Sequence, residues 1–462
     1  MMFRGKVRQV HFVGIGGSGM NGLAEVLLTL GFVVSGSDMK ESGTVARLRS
    51  LGAQVFIGHA AENILGADVI VRSTAVPDHN PELAAGRAQA IPVIPRAELL
   101  AELMRMKYGV AVAGTHGKTT TTSMIAQILG AAGLDPTVVI GGKLDALGSN
   151  AKLGQGELLV AEADESDGSF LLLAPTVAVI TNIDPEHLDH YGDFATLRRA
   201  FVDFANKVPF FGFTVACLDH PVVQESLPEL RRRVVTYGLT RQADLRGDDI
   251  RCDGLETSFA VHRGGERLGR LRLMMPGQHN VQNALAATAT ALGLDIPFEQ
   301  VAAGLDGFTG VQRRFTVVGE AGGVMVVDDY GHHPEEIRAT LSAARAGFAQ
   351  RRIIAVFQPH RYTRVRDLHA DFCRAFNRAD RVIVCPIAAA GEAPIDGVDH
   401  HSLAEGLRRY GHRGVERVED LDEALARLTE MAQPDDLVIT LGAGNVNSIC
   451  APLVRRLGGE PR

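Results

Sequence analysis

The chain alternates along its whole length between short β-branched hydrophobic runs and longer segments rich in Ala, Leu and Arg. The short runs end at Gly, Asp or Asn, and the longer segments repeat their apolar residues with the period of a helix. Such an alternation predicts βαβ units, and therefore parallel sheets covered by helices. The predicted fold class is α/β.

Three blocks of this pattern predict three domains, in agreement with a prior of roughly 150 residues per domain. Residues 1–107 contain VHFVG, FVVSGSD, ADVIVRST and IPVIP as strands and should form a Rossmann-like domain. Residues 108–312 contain YGVAVAGT, ELLVAEAD and TVAVITNID, then the shorter runs FTVACL, RRVVTYG, TSFAVH and RLRLMM, and should form a P-loop-type ATPase domain. Residues 313–462 contain GVMVVDDY, RRIIAVFQ, RVIVCPI and DDLVITLGAG and should form a second Rossmann-like α/β domain.

Composition and charge narrow the class of protein. The chain is 46% hydrophobic and 22% charged, as globular proteins are. Its net charge of -7 argues against general nucleic-acid binding, which needs an excess of Lys and Arg. Its five cysteines are too scattered for a disulfide framework or a structural zinc site. Because the sequence also shows no signal-peptide core or membrane-length apolar run, we expect a cytoplasmic protein that binds neither nucleic acid nor membrane, as a monomer or weak homodimer.

The sharpest local pattern is GTHGKTT, between the strand VAVA and a helix patterned with Ala, Ile and Leu. Glycines would let backbone N–H groups face a polyphosphate at the helix N-terminus. Lys118 should reach the β- and γ-phosphates, and the Thr119 hydroxyl should bind Mg²⁺. Val112 stands where the usual motif has its first glycine, so the loop is a shortened relative of that motif. The alternative is a glycine-rich turn with a solvated lysine. The ATP-binding residues predicted here are Gly114, Thr115, His116, Gly117, Lys118, Thr119 and Thr120.

Two later strand ends carry side chains suited to a nucleotide-bound metal ion. LLVAEAD brings Glu162 and Asp164 to the carboxyl end of a strand, where ligands bind in doubly wound sheets. VAVITNID brings Asn182 to the end of the next strand, with His187 just beyond it. Mg²⁺ prefers oxygen ligands, so His187 is the less typical candidate. Glu162 could instead be an N-cap or a surface carboxylate, and a lone histidine is weak evidence.

A second glycine pattern, GIGGSG, lies between the strand VHFV and the helix MNGLAEVLLTL. It matches G-x-G-x-x-G, with an acidic residue closing the next strand about twenty residues on. The pattern predicts a diphosphate at the helix N-terminus and an acidic group near a ribose. Taken alone it favours an NAD-dependent dehydrogenase, but the second, triphosphate-type loop in the same chain disfavours that function. Tight packing by the glycines is the other alternative. The predicted residues are Gly14, Gly16, Gly17, Ser18, Gly19 and Asp38.

Polar clusters also follow two strands of the third block. VVDDYGHHPEEI places one cluster just before a helix that should begin near Pro334. That cluster consists of Asp328, Asp329, Tyr330, His332 and His333. FQPHRYTRVRDL places the second cluster in the same kind of position, and it consists of His360, Arg361 and Arg364.

Arginines of this block are candidates for binding anions. Arg361 and Arg364, three residues apart, could form a fork for a carboxylate. Arg313 and Arg314, in the linker GVQRRF, could move onto a nucleotide when domains close. A solvated basic face is the alternative for each arginine taken singly.

Taken in order, these segments resemble the Mur ligase family over essentially the whole chain. GTHGKTTT, DDYGHHP and PHRYTR resemble the alanine-adding member. The resemblance implies an ATP- and Mg²⁺-dependent ligase that joins UDP-N-acetylmuramic acid to L-alanine, through an acyl phosphate, in peptidoglycan synthesis. Another Mur-type ligase with a different acceptor is the nearest alternative. The segments that carry the likeness are GIGGSGMNGLAEVLLTLGFVVSGSD, GTHGKTTTTSM, AEADESDGSF, NIDPEHLDHYGD, PGQHNVQNALAA, GVQRRF, DDYGHHPEEI, FQPHRYTRVRDL and LGAGNV.

The resemblance also implies roles for individual residues. The glycine turn of the first domain should hold the UDP moiety, and Asn280 and Asn283 should lie near the adenine. One departure from the family is Glu186, where Asp usually precedes the histidine. The implied catalytic residues are Lys118, Glu162, His187, Arg314 and Asp329. The implied metal ligands are Thr119, Glu162 and His187. The implied amino-acid-binding residues are His332, Arg361 and Arg364.

Overall fold

The computed structural model describes residues 7–17, 19–73, 75–144 and 149–461. Within residues 141–150 it describes the backbone alone. The chain divides into two compact units. The first comprises Met1–Asp248, Ala260–Leu271 and Gln282–Phe308, and the second comprises Asp249–Phe259, Arg272–Val281 and Thr309–Arg462. Three mixed or parallel sheets organise the described residues, which confirms the predicted α/β class.

The first sheet is parallel and Rossmann-like. Its elements are β1 (Gln9–Val13), α1 (Met20–Thr29), β2 (Val33–Asp38), α2 (Gly43–Ser50), β3 (Gln54–Ile57), a 3₁₀ turn (Ala61–Ile64), β4 (Val69–Arg72), α3 (Pro81–Ala88), β5 (Val93–Pro95) and α4 (Arg96–Arg105). Its strand order is β3-β2-β1-β4-β5. The order reverses between β1 and β4, and loops diverge there to leave a crevice at the carboxyl ends of the strands. The turn after β1 lies at this point of the strand order, where the general rule predicts a ligand site.

The second sheet begins at Tyr108. Its elements are β6 (Tyr108–Ala113), α5 (Lys118–Ala131), β7 (Thr137–Leu144), β8 (Ser149–Lys152), β9 (Leu158–Glu162), a 3₁₀ turn (Ser169–Leu172), β10 (Val177–Ile180), α6 (Leu188–Tyr191), α7 (Phe194–Ala205), β11 (Phe213–Cys217), α8 (Pro221–Ser226), a 3₁₀ turn (Leu227–Glu229), β12 (Val234–Gly238), β13 (Leu245–Asp253), β14 (Glu256–Arg263), β15 (Glu266–Leu273), α9 (Gln278–Gly293) and α10 (Phe298–Asp306). The described strands are ordered β15-β14-β13-β12-β11-β10-β6-β9-β7-β8.

Three neighbouring parallel strands of this sheet position the candidate site. β6 pairs with β10 on one side and with β9 on the other. All four residues of β10 are buried, as are the last five of β6, because helices cover both faces of a parallel sheet. Parallel strands end at the same edge, so the loops after β6, β9 and β10 are neighbours.

The third sheet belongs to the C-terminal part of the chain. Its elements are β16 (Thr316–Ala321), β17 (Val324–Asp329), α11 (Pro334–Gly347), β18 (Arg352–Phe357), α12 (Tyr362–Asp367), α13 (His369–Phe372), β19 (Arg381–Val384), α14 (His400–Arg409), β20 (Val415–Arg417), α15 (Leu421–Met431), β21 (Asp436–Leu441), a 3₁₀ turn (Val446–Ile449) and α16 (Cys450–Arg456). The described strands are ordered β16-β17-β21-β18-β19-β20, with only the β16–β17 pair antiparallel. The helix expected near Pro334 begins at that residue, where His333 and Glu336 form a capping box.

Every strand predicted from the sequence is present, and the described residues form six further strands that were not predicted. The strands that the sequence did not reveal are β3, β7, β8, β13, β16 and β20. Among the helices of the described residues, none has the length and apolarity needed to cross a membrane. The domain boundaries at 107/108 and 312/313 stay predictions.

Candidate active site

The loop between β6 and α5 has the conformation expected for a phosphate-binding turn. Gly114 has φ 138° and Gly117 has φ 83°, and residues other than glycine rarely adopt such values. A Cβ atom on Gly117 would lie 2.6 Å from Asn283 Oδ1, and one on Gly114 would overlap Thr181 Oγ1. Both glycines of the motif are therefore required by backbone conformation and by close neighbours.

Asn182, at the end of β10, fixes the middle of this loop. Its Oδ1 accepts from the His116 backbone N–H at 2.7 Å, and its Nδ2 donates to the His116 carbonyl at 3.0 Å. Thr181 Oγ1 donates to the same carbonyl at 2.6 Å. The Thr115 hydroxyl accepts from the Asp184 N–H at 2.8 Å. Asn182 follows β10, as the sequence predicted, and its hydrogen bonds hold the phosphate loop.

Lys118 begins α5, and its ammonium group is bound at the mouth of the loop. Its Nζ lies 2.9 Å from both carboxylate oxygens of Glu165 and donates to the Gly114 carbonyl at 2.6 Å. The Lys118 side chain is 16% exposed and that of Glu165 is 2% exposed. Burial disfavours the charged ammonium, but the carboxylates of Glu165 and Asp164 outweigh it and raise the pKa of Lys118. Lys118 is thus a buried, charged group held by a carboxylate that the sequence analysis did not single out.

The candidate metal ligands follow the neighbouring strands β6, β9 and β10. Thr119 lies in the first turn of α5, and Glu162 ends β9 opposite Val112 of β6. His187, with φ 55°, immediately precedes α6. The Tyr191 hydroxyl at the end of α6 donates to the Glu165 carbonyl at 2.6 Å, so the segment after β9 is tied to the segment that carries His187. Metal binding by these residues stays a prediction.

The glycine turn after β1 is anchored to the end of β2. Gly14 and Ile15 both donate their N–H groups to the Ser37 carbonyl at 2.9 Å. Asp38 Oδ2 accepts from the Gly16 N–H at 2.9 Å. The ribose contact expected of Asp38 stays a prediction, as does UDP binding by Gly14, Gly16, Gly17 and Gly19. Ser18 lies outside the described residues.

Arg96 is a basic residue that the sequence analysis missed. It is the first residue of α4, and a Cβ atom on Gly19 would lie 2.5 Å from Arg96 Nη1. Burial opposes ionisation of Asp164, but the charge of Lys118 and, to a smaller extent, that of Arg96 lower its pKa. Arg96 therefore lies against the glycine turn and close to the acidic segment after β9. No local motif marks it, because its importance comes from where α4 packs.

The two asparagines of PGQHNVQNALAA have different neighbours. Asn283 Oδ1 accepts from the Thr121 hydroxyl at 3.2 Å, beside Gly117 of the phosphate loop. Asn280 Nδ2 donates to the Pro276 carbonyl at 2.8 Å, at the start of its own helix. Asn283 is thus brought to the phosphate loop, whereas the contact seen for Asn280 is local. Adenine binding by either residue stays a prediction.

The linker before β16 is fixed to the end of β17. Asp329 accepts from the Phe315 N–H and the Gly331 N–H, both at 2.8 Å. Arg313 Nε donates to Asp328 at 3.0 Å. Arg314 Nη1 donates to Glu336 at 3.2 Å. Asp329 therefore braces the backbone around Arg314, and the nucleotide contacts expected of both residues stay predictions.

Two histidines lie together in the same part of the chain. The ring centroids of His332 and His360 are 6.0 Å apart. His332 Nδ1 lies 3.1 Å from the Tyr330 carbonyl, and the backbone N–H of His332 donates to Glu336 at 3.0 Å. Burial, with the neighbouring His332 and arginines, lowers the pKa of His360 to about 4. His360 is consequently neutral at pH 7.

The predicted arginine fork is not symmetrical. Arg361 lies outside α12, with φ 70°, and its Nε donates to Glu392 at 2.6 Å. Glu392 also accepts from the Thr363 N–H at 3.0 Å and hydroxyl at 2.7 Å. Burial opposes ionisation of Glu392, but Thr363 and Arg361 lower its pKa to about 2. Glu392, which sequence reasoning missed, therefore neutralises Arg361, while Arg364 lies within α12.

A separate group of His400, His401 and Glu419 has the residue types of a metal site. Arg417 contacts the His401 ring and donates to Glu419 at 3.0 Å. The group thus already contains a cation from the chain itself.

Three family models match the chain in order. The Mur ligase family, catalytic domain model matches residues 9–108, the Mur ligase middle domain model matches 112–291, and the Mur ligase, glutamate ligase domain model matches 313–444. A UDP-N-acetylmuramate–L-alanine ligase of Geobacter sp. (strain M21) is 57% identical over 453 residues, which are 98% of each chain. The chain belongs to the Mur ligase family.

Other relatives extend this similarity to the whole length and to the fold. A UDP-N-acetylmuramate–L-alanine ligase of Sorangium cellulosum is 58% identical over 458 residues, 99% of this chain and 98% of its own. The crystal structure of a UDP-N-acetylmuramate-alanine ligase from Thermotoga maritima has a TM-score of 0.81 at 30% identity, covering 97% of this Mur ligase and 98% of that chain. The three-domain fold predicted from the sequence is confirmed, and these relatives are ligases rather than dehydrogenases.

Proposed function

We propose that this Mur ligase joins L-alanine to UDP-N-acetylmuramic acid at the expense of ATP, as a step of peptidoglycan synthesis. The observation that carries the proposal is full-length similarity, at 57% and 58% identity, to two proteins named UDP-N-acetylmuramate–L-alanine ligase. The geometry agrees with it, since one chain carries both a triphosphate-type loop and a second glycine turn for a diphosphate.

Amide formation from a carboxylate requires a better leaving group than oxide. A carboxylate oxygen of the muramic acid substrate attacks the γ-phosphorus of ATP, ADP leaves, and an acyl phosphate forms. The uncharged amine of alanine then attacks the acyl carbon. The tetrahedral intermediate collapses with loss of inorganic phosphate, and the amine nitrogen gives up a proton to complete the amide. Phosphoryl transfer of this kind depends mainly on positioning and on neutralising charge.

The phosphate loop supplies both requirements for the first step. The N-terminus of α5 offers backbone N–H donors and a favourable dipole to the triphosphate. Lys118 is kept charged by Glu165 and Asp164 and can neutralise the terminal phosphate. Asn182 and the two glycines support this role by fixing the loop around the helix N-terminus. The ATP-binding residues are Gly114, Thr115, His116, Gly117, Lys118, Thr119, Thr120, Asn280 and Asn283.

The donor set at the neighbouring strand ends suits a magnesium ion. Thr119 and Glu162 offer a hydroxyl and a carboxylate oxygen, which are hard donors of the kind that Mg²⁺ prefers. His187 would be a further, less typical ligand. The ion, when bound with ATP, would neutralise phosphate oxygens and make ADP a better leaving group.

The remaining groups would bind the two other substrates. The 14–19 turn, with Asp38, would hold the UDP moiety, and Arg96 would add a positive charge beside it. Arg361 and Arg364 would bind the carboxylate of alanine, and at Arg361 the substrate would replace Glu392. His332 would contact the incoming alanine as well. Arg314 and Asp329 would act at the bound nucleotide. Synthesis of a nucleotide-linked precursor is consistent with a cytoplasmic protein. We also propose that the protein is a monomer or weak homodimer that binds neither nucleic acid nor membrane.

Phosphate release measures the proposed reaction directly. The protein is incubated with ATP, Mg²⁺ and UDP-N-acetylmuramic acid, and alanine, glycine, serine or glutamate is added in turn. We expect phosphate and amide product in equal amounts, at the highest rate with alanine. Phosphate release that is independent of any amino acid would refute the ligase assignment in favour of a simple ATPase. The highest rate with glutamate would indicate a related ligase with another acceptor.

A further inference from the structure

Lys118 and Glu165 form a buried ion pair in the mouth of the phosphate loop. Both oxygens of Glu165 lie 2.9 Å from the ammonium nitrogen, which also donates to the Gly114 carbonyl at 2.6 Å and the Thr115 carbonyl at 3.2 Å. An ammonium group has three N–H donors, so these acceptors account for all of them. A phosphate oxygen that binds Lys118 must therefore displace one of the present partners.

The backbone of Glu165 is held in place independently of the lysine. The Glu165 carbonyl accepts from the Tyr191 hydroxyl at 2.6 Å and from the Gly168 N–H at 3.1 Å. Its side chain is almost fully buried. A buried carboxylate that loses its cation is costly, because no water replaces the lost partner. Glu165 will consequently resist the transfer of Lys118 to another anion.

We propose that Glu165 competes with the terminal phosphates of ATP for Lys118, so that nucleotide binding proceeds by exchange of one anion for another at the same ammonium group. The inference rests on the proposed function, because it takes Lys118 as the phosphate-binding lysine. It makes Glu165 a positioning residue, which keeps Lys118 charged and at the loop and also weakens binding of the nucleotide.

The test is a double-mutant cycle on nucleotide affinity. The dissociation constant of ATP is measured by calorimetry, with EDTA present, for the full-length protein and for the variants Glu165→Gln, Lys118→Met and the two combined. Glutamine keeps the shape of glutamate and removes its charge. We expect Glu165→Gln alone to bind ATP about tenfold more tightly, since a charge-assisted competitor is lost. In the Lys118→Met background the same change should improve affinity by at most about threefold, through relief of general repulsion.

The cycle distinguishes competition for Lys118 from simple repulsion of the nucleotide and from support of the loop. An equal gain in both backgrounds would mean that Glu165 merely repels the nucleotide, and weaker binding by Glu165→Gln would mean that it only supports the loop; either result overturns the inference. Equal affinity of the wild-type protein and Lys118→Met would instead refute the placement of phosphates on Lys118, and with it the proposed role of the loop. Asp167→Asn is the matched control, since it removes an exposed carboxylate two residues away. It should change affinity by less than about twofold.

Folding of each variant is checked by its thermal midpoint and by calorimetric binding of UDP-N-acetylmuramic acid. If Glu165→Gln does not fold, Glu165→Asp takes its place, because it keeps the charge but shortens the reach to Lys118. A gain in metal-free ATP affinity of about threefold, absent in the Lys118→Met background, would then support the competition. No gain would overturn it.

Discussion

The phosphate loop and the arginine cluster, which comprises Arg313, Arg314, Arg361 and Arg364, are both proposed to bind anions. They differ in which groups carry the positive charge. In the loop, the proposed anion-binding groups are the backbone N–H groups of residues 114–117 and the start of α5, and Lys118 adds its charge. In the arginine cluster the charge lies on side chains, and three arginines are each paired with a carboxylate: Arg313 with Asp328, Arg314 with Glu336 and Arg361 with Glu392.

This difference predicts how strongly the substitution of a residue in either region should change the reaction rate or the KM. The phosphate loop depends on its glycines and on Asn182, which hydrogen-bonds to the loop backbone. Its lysine neutralises charge that develops at the phosphate during the reaction. In the arginine cluster, carboxylates of the same chain already neutralise several arginines, so fewer positive charges are available to a ligand than the number of arginines suggests. Each arginine that pairs with a carboxylate must therefore exchange that partner for a substrate anion.

The largest expected effect is that of Lys118→Ala. Loss of one preorganised charge at the transferring phosphoryl group should lower the rate of product formation by about 10²–10³-fold. The matched control is Lys152→Ala, because Lys152 is exposed and pairs with the exposed Asp135 at 2.9 Å. Its rate should stay within about twofold of the wild type. Both variants are assayed by amide formation, and an undiminished rate for Lys118→Ala would contradict the proposed function of the loop.

The arginine pair provides a second test of the comparison. Arg364→Ala should raise the KM for alanine by about 10- to 100-fold, the value of a charge-assisted hydrogen bond. Arg361→Ala should also raise the KM for alanine, by about tenfold, since a substrate carboxylate must replace Glu392 at that guanidinium. Arg366→Ala is the control, since this exposed residue of the same helix pairs with Asp367. Initial rates against alanine concentration measure all three, and an unchanged KM for Arg364→Ala would refute the assignment of that residue to alanine.

A third test addresses the backbone of the loop. Gly117→Ala puts a Cβ atom 2.6 Å from Asn283 Oδ1 at a residue with φ 83°. The left-handed conformation alone costs about 1–2 kcal/mol, so we expect a rise of about tenfold in the KM for ATP. Gly130→Ala in the same helix meets no atom within 4 Å and should leave the KM unchanged. A normal KM for Gly117→Ala would show that the loop relaxes at little cost.

The glycine turns could be predicted from the sequence because their requirements are local. A backbone that must turn sharply after a strand and open a helix needs glycine at fixed positions, whatever the rest of the chain does. The strand ends at Glu162, Asn182 and Asp329 were predictable for a similar reason, since the end of a buried strand is visible as a change from apolar to polar residues.

The partners of the charged groups could not be predicted in this way. Glu165 is 47 residues from Lys118, and Glu392 is 31 residues from Arg361. Each pair forms because particular loops meet at one edge of a sheet, and the sheet order is not visible in a local pattern. The spacing of Arg361 and Arg364 suggested a fork for a carboxylate, yet only the structure shows that Glu392 binds Arg361. Motifs therefore identified the cations, and the fold identified what they bind.

The smallest expected effect concerns stability in acid, which should distinguish the two regions. Lys118 has a raised pKa and stays charged throughout the acidic range. His360 has its pKa lowered from 6.5 to about 4, chiefly by burial. Between these two pH values the unfolded chain binds a proton at this residue and the folded chain does not. The free energy of unfolding therefore falls as the pH drops below about 6.5, and the loss is complete near pH 4.

The variant His360→Asn should remove this contribution. Because the imidazole is only partly buried, we expect the loss of stability between pH 7 and pH 5 to shrink by about 1 kcal/mol, below the limit of about 1.4 kcal/mol per pH unit. His279, whose pKa burial also lowers to about 4, remains and preserves part of the acid loss. Urea unfolding at the two pH values measures the difference, with the exposed His79→Asn as control. If His360→Asn lost as much stability as the wild type, His360 would titrate alike in the folded and unfolded states, and the lowered pKa of His360 would have to be abandoned.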